Sequence, residues 1–182
     1  MISDLQLAQR LRHGDEEAFT LLYERYADLL LNHLLCMVGK QELAEELLHE
    51  VFINLINKIN FFEDRADLRN SFKAWLYRIA TNRAIDEMRK NKNIRFEMEA
   101  ESISAQDPEY SFTLASGQHH IQTLLARLPL VQRTFLNLKI NDDLNLFEIS
   151  QICSCSVNNV KQGLFQARRS MKNMLLAEGF EL

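Results

Sequence analysis

The chain has 182 residues and a mass of 21.3 kDa, with 47 % hydrophobic and 25 % charged residues, enough for one or two small domains with real cores. Five glycines and two prolines are too few for the tight turns of a sandwich or barrel, so an all-α fold is expected. No run approaches about 20 apolar residues, the opening Met1-Ile2-Ser3-Asp4 lacks the pattern of a secretion signal, and Cys36, Cys153 and Cys155 cannot make a disulfide framework, so no membrane insertion and a cytoplasmic location are expected.

The net charge of −4 is unevenly placed. Residues 1–60 carry five Lys/Arg against ten Asp/Glu, residues 61–93 eight against five, residues 94–120 one against five, and residues 121–182 seven against five. Alternating acidic and basic blocks suit a chain that meets a basic protein surface and a phosphate backbone together, though charge alone more readily describes ordinary solvated helix faces.

The elements follow in order. A short amphipathic helix, Leu5 to Leu11, ends at Gly14, and Asp15 caps the next. From there to Val38, Phe19, Leu22, Tyr26, Leu29, Leu30, His33, Leu34 and Met37 recur at steps of three and four, one apolar stripe closed by Gly39. A third helix runs from Gln41 to about Ile59 with a broad apolar face. Phe61 to Asn70 reads as a loop, and Ser71 caps a helix to about Lys90 with Phe72, Trp75, Leu76 and Ile79 on its core side. From Ile94 to about Gly117 the helical period fails, and five acids and Pro108 mark a linker longer than most loops within a domain.

The remainder is a second small domain. His119–Leu128 looks helical, and Pro129 suits the first position of a helix to Ile140. Asn145 with Glu148 has the spacing of a capping box and opens a short helix to Ile152. The turn Cys153-Ser154-Cys155 leads to Ser156, a cap for a last helix to about Ala177. Short helix, tight turn and longer helix make a helix-turn-helix. Val157, Val160, Leu164, Ala167 and Met171 form its packed side; Asn158, Asn159, Lys161, Gln162, Gln166 and Arg169 form the other. Asn and Gln suit adenine edges in a major groove and Lys161 suits phosphate or guanine, while Arg168, Arg169 and Lys172 suit the backbone.

Several runs resemble one family. Ala18-Phe19-x-x-Leu22-Tyr23-x-Arg25-Tyr26 is similar to the opening helix of the extracytoplasmic-function (ECF) sigma factors, sigma-70-type subunits of bacterial RNA polymerase. Ala44-Glu45-Glu46-Leu47-x-His49-Glu50-Val51-Phe52 resembles their polymerase-binding helix, and Ala74-Trp75-Leu76-Tyr77-Arg78-Ile79-Ala80-x-Asn82-x-Ala84-Ile85-Asp86-x-Met88-Arg89 their promoter-melting helix. Leu128-Pro129-Leu130-Val131-Gln132-Arg133-Thr134-Phe135 is similar to the start of their second domain, and Glu148-Ile149 with Val157-x-x-Val160-Lys161-x-x-Leu164-Phe165-x-Ala167-Arg168 to its helix-turn-helix. The motifs keep the family's order and cover nearly everything except the linker.

The resemblance implies two helical domains: sigma region 2 at 1–93, an acidic linker at 94–118, and sigma region 4 at 119–182. It implies docking on core RNA polymerase, through the clamp helices of the largest subunit and the flap of the second largest. Promoter DNA would be read as separated strand at the minus-ten element and as duplex at the minus-thirty-five element. An anti-sigma factor is a further expected partner. The linker would enter the polymerase channel near the RNA path, where its acids occupy a basic channel until nascent RNA displaces it, or would serve as a plain tether. By this likeness Glu42, Glu46, His49, Glu50 and Ile53 bind polymerase. Phe62, Arg65, Arg69, Arg78, Asn82 and Arg89 meet the minus-ten strand, with Asn82 lining the base pocket and Phe61 or Phe62 either stacking on a base or lying in the core. Ser156, Asn158, Asn159, Lys161, Gln162, Gln166, Arg168 and Arg169 meet the minus-thirty-five duplex.

In the melting helix, Arg78, Asn82, Ile85 and Arg89 fall on one stripe beside the core face, and Arg83 and Asp86 are spaced to pair with each other. Three departures from the family matter. His49 stands where Gln is usual, which adds a titratable contact. The loop after Phe62 is longer than the family's. Gly163 and Gln166 replace basic residues, so duplex binding should be weak. Glu46-x-x-His49 lacks the second Glu-x-x-His of a di-iron site, and Cys153-x-Cys155 reads as small apolar filling, so neither metal nor cofactor is expected. Nothing resembles an activated nucleophile, a phosphate loop or an acid–base pair, and an enzyme is not expected. Two other readings stay open from the residues: a sigma-like adaptor docking its second domain on protein, and an operator-binding helix-turn-helix regulator.

Overall fold

The computed structural model of the chain describes residues 2–63, 71–91, 123–140 and 144–180, and every regular element among them is helical. The expected linker, Arg65 and Arg69 lie outside these residues. Helix α1, Asp4–Arg12, starts one residue before the expected position because Ser3 and Gln6 form a capping box: the Gln6 amide donates to Ser3 Oγ (3.3 Å) and the Ser3 amide to Gln6 Oε1 (3.0 Å). Helix α2, Glu16–Val38, is capped by Asp15 Oδ1, which accepts from the amides of Glu17 (3.0 Å) and Ala18 (3.2 Å). Gly39 ends it at φ 74°, a conformation open to glycine at little cost.

Helix α3, Gln41–Lys58, runs into a 3₁₀ turn, Ile59–Phe61. Helix α4, Phe72–Asn91, is capped by Ser71, whose Oγ accepts from the Ala74 amide (3.1 Å). Helices α2, α3 and α4 pack on one another, and α1 closes the bundle across α2 and α4. Phe19 and Tyr23 of α2 lean on Phe52 of α3 with ring centroids 6.0 and 4.6 Å apart.

The later helices form a second unit. A helical turn at 123–126 precedes α5, Leu130–Ile140, whose first turn is held by the Arg133 amide on the Pro129 carbonyl (3.0 Å). Helix α6, Leu146–Ile152, has the expected capping box, with Asn145 Oδ1 accepting from the Glu148 amide (3.0 Å) and Glu148 Oε2 from the Asn145 amide (2.9 Å). Helix α7, Val157–Ala177, is capped by Ser156 Oγ on the Asn159 amide (3.1 Å). Ser154, in the turn between them, takes φ 53°.

The two units are not separate bodies. Helix α5 lies on α2 and α6 lies on α4, and one hydrophobic core runs through both. This changes two expected faces. Residues 33–37 of α2 are buried all the way round, whereas a single stripe was expected. Helix α4 buries Ala74, Tyr77, Thr81 and Ala84 besides the expected Phe72, Trp75 and Leu76. Ile85, expected on the exposed stripe, is part of that core, and Ile79, expected inside, is only half-buried.

Candidate polymerase and promoter interface

Three exposed helix faces carry the expected site residues. On α3, Glu42, Glu46, His49 and Ile53 are exposed at steps of four, three and four, which places them on one stripe. Glu50 is partly occupied: Arg83 of α4 reaches it with Nε 2.6 Å from Oε2 and with Nη2 on the same oxygen. The expected Arg83–Asp86 pair is therefore replaced by a bridge between helices, and Asp86 instead faces Arg89 at 3.8 Å. Ile56 continues the α3 stripe and is 49 % exposed, beside Ile53 at 58 %. Ile56, followed by Phe61 at 78 %, extends the surface beyond the residues expected to bind polymerase. Ile56 escaped sequence reasoning because the helix is apolar on so much of its circumference that its wet isoleucines cannot be told from its dry ones.

On α4, Arg78, Asn82 and Arg89 are exposed on one stripe of a helix otherwise largely buried, and Arg89 lies near the C-terminus, where the helix dipole favours cations. Phe62 does not join them. It is 2 % exposed, with its ring against Phe72 (5.5 Å, nearly perpendicular) and Trp75 (5.2 Å) and the Arg12 guanidinium 5.9 Å over its face. Buried in this aromatic cluster, the Phe62 ring presents no face to a base; the neighbouring Phe61 is the exposed ring.

On α7, Asn158, Asn159, Lys161, Gln162, Gln166, Arg168 and Arg169 are exposed, as is the capping residue Ser156. Gln166 also accepts from Gln132 Nε2 of α5 (3.3 Å), which steadies its side chain. Phe165 stands in the middle of this polar face, 67 % exposed, between Lys161 and Arg169 one turn to either side. It was missed as a site residue because a phenylalanine beside Leu164 reads as core.

Gly163 is not on this face. It is buried, and a Cβ there would sit 2.6 Å from Cδ2 of Phe135, itself buried in α5. The missing basic side chain at 163 is thus dictated by packing: α5 and α7 approach too closely for any side chain. Gly163→Ala should lower stability by about 1–2 kcal/mol, because overpacking costs more than the alanine gains in helix propensity. Thermal denaturation checks this, and a variant as stable as the parent would contradict the close approach.

His33, an expected core residue of α2, is fully buried, with Nε2 2.9 Å from Thr81 Oγ1 of α4 and Nδ1 3.2 Å from Asn137 Nδ2 of α5. Burial lowers its pKa to about 3, so the imidazole is neutral. With the Asn137 amide donating to Nδ1, the proton resides on Nε2 and is donated to Thr81. Cys153 is buried in the turn and its thiol is pushed well up by burial, then by Cys155, as suits small apolar filling. Among the described residues no cluster of His, Cys, Asp or Glu could hold a metal ion, and no helix is long and apolar enough to cross a membrane.

Among the described residues every regular element is helical, with a helix-turn-helix in one unit and exposed acidic and basic helix faces in the other, the arrangement of a DNA-binding protein. Comparison with known proteins makes the assignment specific. Residues 22–94 match the family model of sigma-70 region 2, and residues 119–171 match that of sigma-70 region 4. The ECF sigma factor SigX of Bacillus subtilis (strain 168) is 30 % identical, over 86 % of this chain and 85 % of its own. SigW of the same organism is 29 % identical over 92 % and 94 %, and the ECF sigma-E factor of Escherichia coli (strain K12) 26 % over 94 % of each. Among solved structures, CnrH in complex with the cytosolic domain of CnrY shares the fold with a TM-score of 0.72, at 20 % identity over 95 % of this chain and 97 % of that one. The sigma factor RpoE of Bartonella quintana, in complex with the anti-sigma factor NepR, shares it at 0.67, with 21 % identity over 86 % and 96 %. This chain belongs to the sigma-70 family as an ECF sigma factor, an initiation factor that directs RNA polymerase to promoters.

Proposed function

We propose that the three faces divide the work of initiation in the cytoplasm. The α3 stripe, Glu42, Glu46, His49, Ile53 and Ile56, docks on a basic helical surface of core RNA polymerase. Its acids supply charge complementarity and its isoleucines the desolvated centre of the contact. Arg83 holds Glu50 at the edge of that stripe, so Glu50 acts by fixing α3 against α4 as much as by touching the partner.

The α4 stripe takes up the minus-ten strand. Arg78 and Arg89 neutralise phosphates, and the Asn82 amide between them presents both a donor and an acceptor to an unstacked base. An extruded base loses a few kcal/mol of stacking, which these contacts offset. The α7 face reads the minus-thirty-five duplex: Asn158, Asn159, Gln162 and Gln166 suit base edges, Lys161, Arg168 and Arg169 hold the backbone, and the exposed Phe165 suits a thymine methyl. With few cations on α7, this domain alone binds duplex weakly and with a shallow salt dependence. An anti-sigma factor, of the kind bound to RpoE of Bartonella quintana, covers one or more of these faces when the factor is held inactive. In this reading sigma region 2 spans 1–93 and sigma region 4 spans 119–182.

The observation that carries this reading is the exposed polar stripe of Arg78, Asn82 and Arg89 on a helix whose opposite face, Phe72, Leu76, Ala80 and Ala84 among it, is buried. Asn82→Ala and Arg78→Ala should each reduce strand opening by at least about tenfold, a loss of roughly 1.4 kcal/mol or more, while polymerase binding stays within about twofold. Permanganate probing of unpaired thymines on a cognate promoter, beside a pull-down with core polymerase, measures both. Unchanged strand opening in both variants would overturn the assignment of α4.

A further inference from the structure

One side chain on the exposed face of α7 is held from outside that helix. Where α5 and α7 come closest, Gly163 lies against the Phe135 ring with no room for a side chain between them. Three residues back along α5 and three on along α7 from that contact, two glutamines meet: Gln132 Nε2 donates to Gln166 Oε1 at 3.3 Å. The tight contact fixes the register of the two helices and with it the meeting of this pair. Gln166 is exposed, but Gln132 is half-buried, and its Oε1 is shielded from solvent with no hydrogen-bond partner among the described residues. Turning the Gln132 amide round would put two N–H donors where that one oxygen stands, and a buried donor without a partner is rarer in proteins than an under-satisfied carbonyl. Gln132 therefore offers α7 a donor, and Gln166 answers with its oxygen. What Gln166 keeps for the groove is Nε2, on the other side of its amide.

We propose that Gln132 sets which base Gln166 reads: with its oxygen held toward α5, Gln166 acts as a donor and selects guanine or thymine over adenine and cytosine. The inference rests on the assignment of α7 to the minus-thirty-five duplex, and it adds a residue outside α7 that itself touches no base. A glutamine with both ends of its amide free pairs with adenine, accepting from N6 and donating to N7. Here the accepting end is occupied, and the adenine N6 amino group would face the Gln166 amino group, donor against donor. Guanine carries O6 and N7 on its major-groove edge and thymine carries O4, all of them acceptors, whereas cytosine presents only the N4 donor. Gln132 is thus a positioning residue: it acts on specificity through the orientation of one amide.

The test uses polymerase holoenzyme and a pool of promoter duplexes randomised over the minus-thirty-five element, with bound and unbound DNA sequenced. The position read by Gln166 is the one whose base preference Gln166→Ala flattens. There the parent should favour guanine or thymine over adenine and cytosine by at least about fivefold. Gln132→Glu supplies a carboxylate that only accepts, so the Gln166 amide turns round, and the preference at that one position should move to adenine or cytosine by a similar factor. Gln132→Met removes the partner without adding charge and should bring guanine and adenine within about twofold of each other. Frequencies compared within one variant cancel any uniform loss of affinity or stability, so a merely structural Gln132 would leave the preference where it was. A parent that favours adenine at that position, or a preference that neither Gln132 variant alters, would overturn the inference. If Gln166→Ala flattens no position, the placing of Gln166 on a base edge falls as well.

Discussion

Phe62→Ala is expected to lower the stability of the protein by about 3–5 kcal/mol, a large part of the roughly 5–15 kcal/mol that holds a domain of this size folded. The ring fills the space between the 3₁₀ turn and the head of α4, touching Phe72 and Trp75 and lying beneath Arg12. Arg12 also donates through Nε to the Ile59 carbonyl at 3.1 Å, so α1, the 3₁₀ turn and α4 meet at this one side chain. Truncation removes the apolar contact and leaves a cavity that three helices cannot close together. Phe61→Ala, one residue away on the surface, should change stability by less than about 0.5 kcal/mol. Denaturant titration of the two variants decides the matter. A stable Phe62→Ala protein with impaired strand opening would return Phe62 to the minus-ten site and contradict its place in the core.

Acid should weaken the protein through His33, and the sign follows from its surroundings. Burial depresses its pKa from the usual 6.5 to about 3 in the folded chain, so the folded state holds the imidazole neutral while the unfolded state binds a proton below pH 6.5. The stabilisation is therefore complete above about pH 6.5 and is lost progressively as the pH falls toward 3. At pH 5 the loss is about 2 kcal/mol, from 1.36 kcal/mol per unit of pKa difference. The groups facing the ring are Thr81 and Tyr77 of α4 and Asn137 of α5, none of them anionic at neutral pH, and Arg133 a turn away carries the same sign as an imidazolium. Melting temperatures at pH 7.5 and pH 5 for the parent and for His33→Gln measure the effect. The glutamine variant should be less sensitive to acid than the parent; equal sensitivity would place the titrating group elsewhere.

Local chemistry was legible wherever a short run of sequence controls a structure by itself. Asp15, Ser71, Asn145 with Glu148, and Ser156 each satisfy amides within four residues, so their caps depend on nothing distant. The faces of α3 and α7 were legible for a related reason. Their charged and amide side chains face water, and the spacing that keeps them together on a helix is the spacing visible in the sequence. The places of Ile85, Ile56, Phe62 and Gly163 were not legible because the fate of each depends on which distant element covers it. An isoleucine four residues from an exposed one can be wet or dry, and only the neighbouring helix decides. Gly163 reads as a lost charge in sequence and as a packing contact beneath Phe135 in space.

The amino-acid sequence by itself determined an all-helical chain, its capped segments, the helix-turn-helix and the surface stripes, because periodicity and capping act over one or two turns of helix. Only the tertiary structure decided that the second domain rests on the first. The Arg133–Met37 and Asn137–His33 contacts join residues about a hundred positions apart, with no periodic signal in either segment to announce them. Side chains such as His33 and Thr81 carry the same local pattern whether they face solvent, a core or another domain; burial from a second direction separates these cases, and that burial is a property of the assembled chain.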